Sequence, residues 1–326
     1  MSTSADLHEG SWHLLSVLDQ SPGLHALGDT LADLADEGHP IVACTADLKY
    51  SNGLNRFEER HPDRFLQFGI SEQNMVTASG GIASCGEVPY VATFASFLAL
   101  LCCEQIRMDV AYPGLPVRLI GHHAGIALGF YGTSHHATED LAIMRSIPGL
   151  SVVAPADAAE LAAALRATVD HPGPIYFRLG RGREPRVYED GTEFVLGEAR
   201  SHYEGSELTV VATGSTVHPA LMAVEALRAR GQDVGLLAVP TIKPFDRERV
   251  LAAAQGSRRL LTVEEHNVVG GLGGAVAEVL AQAGAGTPLT CHGIPDEYCL
   301  IGPPTHLYRH YRLDAEGIEA VAQELL

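Results

Sequence analysis

The chain has 326 residues, 46% apolar and 19% charged; this is enough to bury a sizeable core and suits two domains of about 130–190 residues. Twenty-two basic and forty acidic residues give a net charge of −18, which argues against nucleic-acid and anionic-membrane partners but leaves room for a phosphorylated substrate on a local Arg or His cluster. Composition excludes a disordered chain, a coiled coil and a disulfide scaffold. No apolar run reaches the ~18 residues that span a bilayer, and MSTSADLHEG has no signal-peptide pattern, which points to the cytoplasm. The six cysteines form no CxxC pair and read as reduced core thiols.

In chain order, apolar β-branched runs read as buried strands: IVACTADL (41–48), RFLQFGI (64–70), VPYVATF (88–94), VRLIGHHAGI (117–126), LSVVAPA (150–156) and PIYFRLG (174–180). Ala-rich segments of helical period lie between them, as in DAAELAAALRATVD (157–170). Residues 191–206 read as a linker, with a short strand near Glu193–Leu196. The rhythm resumes with LTVVATG (208–214), a helix over 218–231, DVGLLAVPTI (233–242), RRLLTVEEH (258–266), a helix over 270–284, LTCHGI (289–294) and a C-terminal helix over 314–326. The expectation is an α/β chain with two domains, 1–190 and 207–326, each a mainly parallel sheet with flanking helices.

Four segments could carry chemistry. In QFGISEQNMVTASGGIAS (67–84), Ser71 is a candidate N-cap and Glu72 falls in the first helical turn. An acid there serves the helix dipole, and it also lies past the carboxyl end of a parallel strand, where α/β sites are built. Gly80 and Gly81 inside that helix cost about 1 kcal/mol each and suggest close packing against another backbone, such as a partner subunit. Phe94 and Phe97 are core aromatics or, sharing a helical face at i, i+3, a stacking wall for a flat ring. The glycine-rich stretch over 121–149 carries His122, His123, His135 and His136. These could be structural or could bind a polyhydroxy or phosphorylated substrate, but their spacing matches no zinc motif, so no metal is expected. Arg178, Arg181 and Arg183 form a basic cluster after a strand, suited to a phosphate or to a salt-bridged loop.

Taken in order, FEERHPDRFLQFGISEQNMVTASGGIAS, TFASF, SHHATEDLAIMRSIPGLSVVAPADAAE, FRLGRG and LLTVEEHNVVGGLGGAVAEVL closely resemble the transketolase family, and more narrowly the C-terminal subunit of a split transketolase. The resemblance runs from about residue 24 to the C-terminus. It implies a pyrimidine-binding domain followed by a transketolase C-terminal domain, and transfer of a two-carbon ketol unit from a ketose (phosphate) to an aldose (phosphate). The glutamate of the family's G-x-x-E-x-x-M pattern matches Glu72. Its implied role is to hydrogen-bond a ring nitrogen of the aminopyrimidine of thiamine diphosphate, which favours a basic imino group beside the thiazolium C2.

Phe94 and Phe97 match the family's aromatic pocket for that ring, with Leu100 where a third aromatic often stands. His123 and His135 match substrate-facing histidines, and Arg181 matches the arginine for the terminal phosphate. The resemblance leaves His122, His136, Arg178 and Arg183 without roles. Tyr131 occupies the position of an aspartate that binds the donor's C3 hydroxyl. The G-D-G motif that holds Mg²⁺ and the diphosphate is missing from this sequence. The resemblance therefore implies a partner, an N-terminal transketolase subunit that holds both, in an α₂β₂ heterotetramer of carbohydrate metabolism. The rival readings are the β subunit of a 2-oxoacid dehydrogenase, a 1-deoxyxylulose-5-phosphate synthase-like half, and a non-catalytic assembly subunit.

Overall fold

The computed structural model describes residues 22–326. The first half supplies six strands: β1 (Ile41–Thr45), β2 (Phe65–Gln67), β3 (Val88–Phe94), β4 (Arg118–His122), β5 (Ser151–Val153) and β6 (Ile175–Arg178). They lie in the order β5-β6-β4-β3-β1-β2, and every neighbouring pair is parallel. The second half adds β7 (Arg200–Tyr203), β8 (Leu208–Ala212), β9 (Val234–Ala238), β10 (Thr241–Lys243), β11 (Leu260–Asn267) and β12 (Leu289–Ile294). Five of these form the sheet β12-β11-β8-β9-β7, parallel except for β7.

The helices are α1 (Pro22–Asp36), α2 (Asn55–Arg60), α3 (Glu72–Ser84), α4 (Asp140–Ser146), α5 (Ala158–Ala167), α6 (Val217–Ala229), α7 (Arg247–Gly256), α8 (Leu272–Ala283), α9 (Pro304–His310) and α10 (Ala315–Leu325). None of the described helices is long and apolar enough to cross a membrane.

Both faces of the first sheet are covered over its inner strands, which is why these read as continuous apolar runs; the edge strand β2, expected to be buried, is instead partly exposed. Ile41, Ala43, Tyr90 and Ala92 face Leu31 of α1 and Leu161 and Leu165 of α5. The alternate positions Val42, Cys44 and Val91 join Met75 and Val76 of α3 and Leu141 of α4 in the opposite core. That second cluster continues without a break to Val211, Leu237, Leu260 and Val276 of the second half, so the two halves share apolar core. Helix α5 starts on two side-chain acceptors. Asp157 accepts from Glu160 N at 2.8 Å, and Glu160 accepts from Ala156 N at 2.8 Å.

Four further sequence expectations are corrected. Glu193–Leu196 is not a strand; Phe194 buries its ring against the first sheet's core, and pairing begins only at Arg200. The run DVGLLAVPTI is two strands in two sheets. Pro240 has no N–H to continue the ladder, and the chain turns there so that β10 pairs antiparallel with β5. Gly80 meets another backbone, but within this chain: a Cβ there would lie 2.5 Å from the carbonyl oxygen of Asp109, while Gly81 faces open space. The cysteines are only partly core. Cys44, Cys102 and Cys299 are buried, whereas Cys85 and Cys291 are exposed.

Candidate active site

The candidate residues gather at the carboxyl edge of the first sheet, where Phe94 ends β3 beside His122 at the end of β4 and Gly121 pairs with Arg178 at the end of β6. Phe94 lies on a strand and Phe97 opens a π-helical turn, Phe97–Leu101. Their rings meet edge-on at 5.5 Å because the chain turns sharply between them, not because they share a helical face. The Phe94 ring also lies 5.1 Å from His122, 5.2 Å from His123 and 5.6 Å from His135. Tyr131 stacks obliquely on His135 at 4.8 Å and is 48% exposed. Leu100, at the position of the family's frequent third aromatic, faces outward.

Glu72 is the first residue of α3 and is 5% exposed. Ser71 does not cap that helix with its side chain; its hydroxyl donates to Phe68 O at 2.8 Å. The next residue, Gln73, donates to Leu101 O at 3.0 Å and fastens the first turn of α3 to the turn that Phe97 opens. Among the described residues Glu72 accepts no side-chain hydrogen bond, although it is buried. Its oxygens are not among the fully enclosed polar atoms left without a partner, so the acid can still accept from an incoming N–H group. A buried acid, two edge-packed phenyl rings and adjacent neutral histidines together fit the aminopyrimidine of thiamine diphosphate.

The two histidines at the end of β4 form one unit. His123 has φ 56°, a left-handed conformation that costs a non-glycine residue about 1–3 kcal/mol and is found at functional sites. It is held there by His123 N donating to Gly180 O at 2.9 Å and Ala124 N to Leu179 O at 3.0 Å. The two Nδ1 atoms lie 2.7 Å apart, so one ring donates and the other accepts. Burial pushes His122 down to about 3. His123 is lowered by burial, then by His122 and by Arg181 and Arg183. Both rings are therefore neutral at pH 7. His135 is half-buried, with its Nδ1 2.9 Å from Ser134 Oγ. Among the described residues no three His, Cys, Asp or Glu side chains converge on a metal-binding geometry.

The neutral pair ties stability to pH. A histidine whose folded pKa is depressed contributes stability that is complete above its unfolded value of 6.5 and is lost as pH falls toward about 3. The slope is at most about 1.4 kcal/mol per pH unit for one proton. The stability deficit of His122→Gln, measured by urea unfolding, should therefore shrink between pH 7 and about 4.5. Glu264, raised to about 7 by burial, acts with the opposite sign and cancels in the comparison. A deficit independent of pH would contradict the neutral pair.

The three arginines do not act together. Arg178 is buried and committed: it pairs with Asp140 at 2.9 Å and donates to Ala137 O at 3.2 Å and Glu265 O at 2.7 Å. It is a tie between the two halves of the chain. Arg181 lines a cavity with His122, His123 and Gly180, and Glu184 accepts its backbone N–H at 2.6 Å. Arg183 is exposed. Sequence reading missed Asp140, Ser215, Glu265 and Tyr308, which brace this region from behind. The VEEH run was the only available signal.

With this geometry in hand, the chain can be compared with known proteins. The transketolase pyrimidine-binding domain model matches residues 24–185, and the transketolase C-terminal domain model matches residues 197–318. An apulose-4-phosphate transketolase subunit of Phocaeicola vulgatus is 39% identical, over 91% of this chain and 95% of its own. A 6-deoxy-6-sulfo-D-fructose transketolase subunit of a Clostridium species is 37% identical, over 92% and 94%. A solved split-gene transketolase, described as an inactive β4 tetramer, superposes with a TM-score of 0.83 at 36% identity, covering 93% of this chain and 97% of that one. This chain therefore belongs to the transketolase family and carries that family's pyrimidine-binding and C-terminal domains in succession.

Proposed function

We propose that this chain is the β subunit of a two-chain, thiamine diphosphate-dependent transketolase, and that it supplies the pyrimidine side of an active site completed by a partner. The observation that carries the reading is Glu72: a buried carboxylate, free of side-chain donors among the described residues, on the helix fastened to the Phe97 turn. Thiamine diphosphate, when bound, would supply the electron sink for breaking the ketose carbon–carbon bond.

The residues of this chain do the rest. With the cofactor bound, Glu72 would hold a proton on a nitrogen of its aminopyrimidine, and Phe94 and Phe97 would pack against that ring. His123 and His135 hydrogen-bond substrate oxygens, and Arg181 binds a terminal phosphate. The neutral histidine pair can donate or accept without carrying charge.

Magnesium and the diphosphate are assigned to a partner, an N-terminal transketolase subunit, because the sequence carries no G-D-G. The relatives named as subunits support that division. So do the exposed Ile70, two residues before Glu72, and the exposed Leu100 and Leu101 in the turn to which Gln73 is fastened; large apolar side chains left open there suit an interaction surface. The assembly read from this is an α₂β₂ heterotetramer in the cytoplasm, working in carbohydrate metabolism on ketose and aldose phosphates. Purified chain alone should show no ketol transfer from xylulose 5-phosphate to ribose 5-phosphate, and addition of the partner, thiamine diphosphate and Mg²⁺ should produce it. Turnover by the rigorously purified chain alone would refute the division of labour.

Tyr131 sets an expectation for donor choice. It stands on the ring of His135, where the family often places an aspartate. Tyrosine donates one hydrogen bond but offers no charged acceptor at neutral pH. A site that no longer depends on the donor's C3 hydroxyl discriminates less against donors that lack it. A donor panel on the assembled enzyme should show weakened C3 preference and measurable use of a C3-deoxy donor. If xylulose 5-phosphate far outperforms its C3 epimer and every C3-deoxy donor, the substitution has no such effect.

A further inference from the structure

Glu265 is a buried acid that none of the roles above uses. It lies on β11 in the second half of the chain and is 2% exposed. Three donors converge on its carboxylate: Ile126 N at 2.7 Å and the Tyr308 hydroxyl at 2.8 Å on Oε1, and the Ser215 hydroxyl at 2.5 Å on Oε2. Burial raises its pKa, while Arg178 and these donors oppose that rise. Gly125 takes φ +64°, and a Cβ there would lie 2.2 Å from Glu265 Oε1. The carboxylate thus packs directly on the backbone of Gly125 and Ile126.

That backbone belongs to the loop between His123 and His135. Gly125 and Ala137 exchange backbone hydrogen bonds of 3.0 and 2.9 Å, which closes the loop at its base. Arg178 bonds both Ala137 O and Glu265 O, so both ends of the closure are tied to β11. The loop's own contacts fix its neck, but only Glu265 supplies an acceptor for Ile126 N across the boundary between the halves.

We infer that Glu265 is a positioning residue: through Ile126 it sets where His123 and His135 stand, and in this way the C-terminal domain takes part in the active site. The inference rests on the reading of those histidines as substrate-facing. A carboxylate suits the task because all three partners are donors, and a charged acceptor strengthens each bond. Glutamine can still take Ile126 N and Tyr308 on its oxygen while its NH₂ donates to Ser215, so Glu265→Gln should largely preserve the arrangement. Alanine leaves three donors unanswered and removes the tie of Ile126 to β11, while Arg178 on Ala137 O and Gly302 N on Gly129 O remain.

The test compares Glu265→Ala, Glu265→Gln and Val321→Ala, the last a core truncation in α10 that shares the apolar cluster of Ile126 but makes none of the loop's hydrogen bonds. In the isolated full-length chain, Glu265→Ala should speed amide exchange of residues 125–137 by about tenfold or more, while Glu265→Gln and Val321→Ala should leave it near wild type. In the assembled enzyme, Glu265→Ala should lower kcat/KM by about 10–100-fold, as expected when reacting groups are misplaced, with Glu265→Gln within about threefold. Unchanged loop exchange in Glu265→Ala, or equal exchange and kinetic losses in Val321→Ala, would overturn the proposal. The exchange readout needs no turnover. A wild-type assembly without ketol transfer would therefore count against the functional reading alone.

Discussion

Replacing Glu72 with glutamine is expected to lower kcat of the assembled enzyme by about 10²-fold or more, the scale of a lost acid–base contribution. The substitution keeps size and shape, so the packing of α3 against the 97–111 stretch, including Thr77 on Asp109 at 2.7 Å, should survive. What changes is charge. A carboxylate stabilises a proton on the ring nitrogen it faces, whereas an amide can only share a neutral hydrogen bond. Complex formation, followed by sedimentation, should be unchanged. Turnover close to wild type in an intact complex would reduce Glu72 to an acid at a helix start.

Arg181→Ala is expected to raise KM for phosphorylated substrates by about 10–150-fold, corresponding to about 1.5–3 kcal/mol for a charge-assisted hydrogen bond, and to change KM for unphosphorylated analogues little. Its position supports this split. Arg181 lines the cavity that His122 and His123 share, and its charge contributes to holding His123 neutral. The backbone of the loop is held separately, by Glu184 on Arg181 N at 2.6 Å, and alanine keeps that bond. Equal losses for both substrate types would show that the loop itself had been disrupted.

Much of the fold was legible because a strand buried on both faces has a plain signature. β3 spans the expected 88–94, and the fully buried β8 starts at the expected Leu208. What the sequence obscured were decisions made by distant contacts. The linker chose burial of Phe194 over strand pairing, and the segment after Pro240 left one sheet for the edge of another. Arg178 and Arg181 look equivalent in FRLGRG, but Arg178 ends a buried strand and is consumed by Asp140, while Arg181 lies in the loop beyond it. Glu265 had only the VEEH run as a local signal, and that run says nothing of its partners. Its partners Ile126, Ser215 and Tyr308 lie 139, 50 and 43 residues away in sequence.

The chain's central claimed act is to activate a cofactor that its partner holds, and the most direct measurement is deuterium exchange at C2 of thiamine diphosphate, followed by NMR after rapid acid quench. Partner charged with cofactor and Mg²⁺ would be measured alone, with the wild-type chain, and with Glu72→Gln. The wild-type chain should accelerate exchange by about 10²-fold or more, and the variant, bound equally well, should not. Equal exchange with and without the wild-type chain, or full acceleration by Glu72→Gln, would contradict that role.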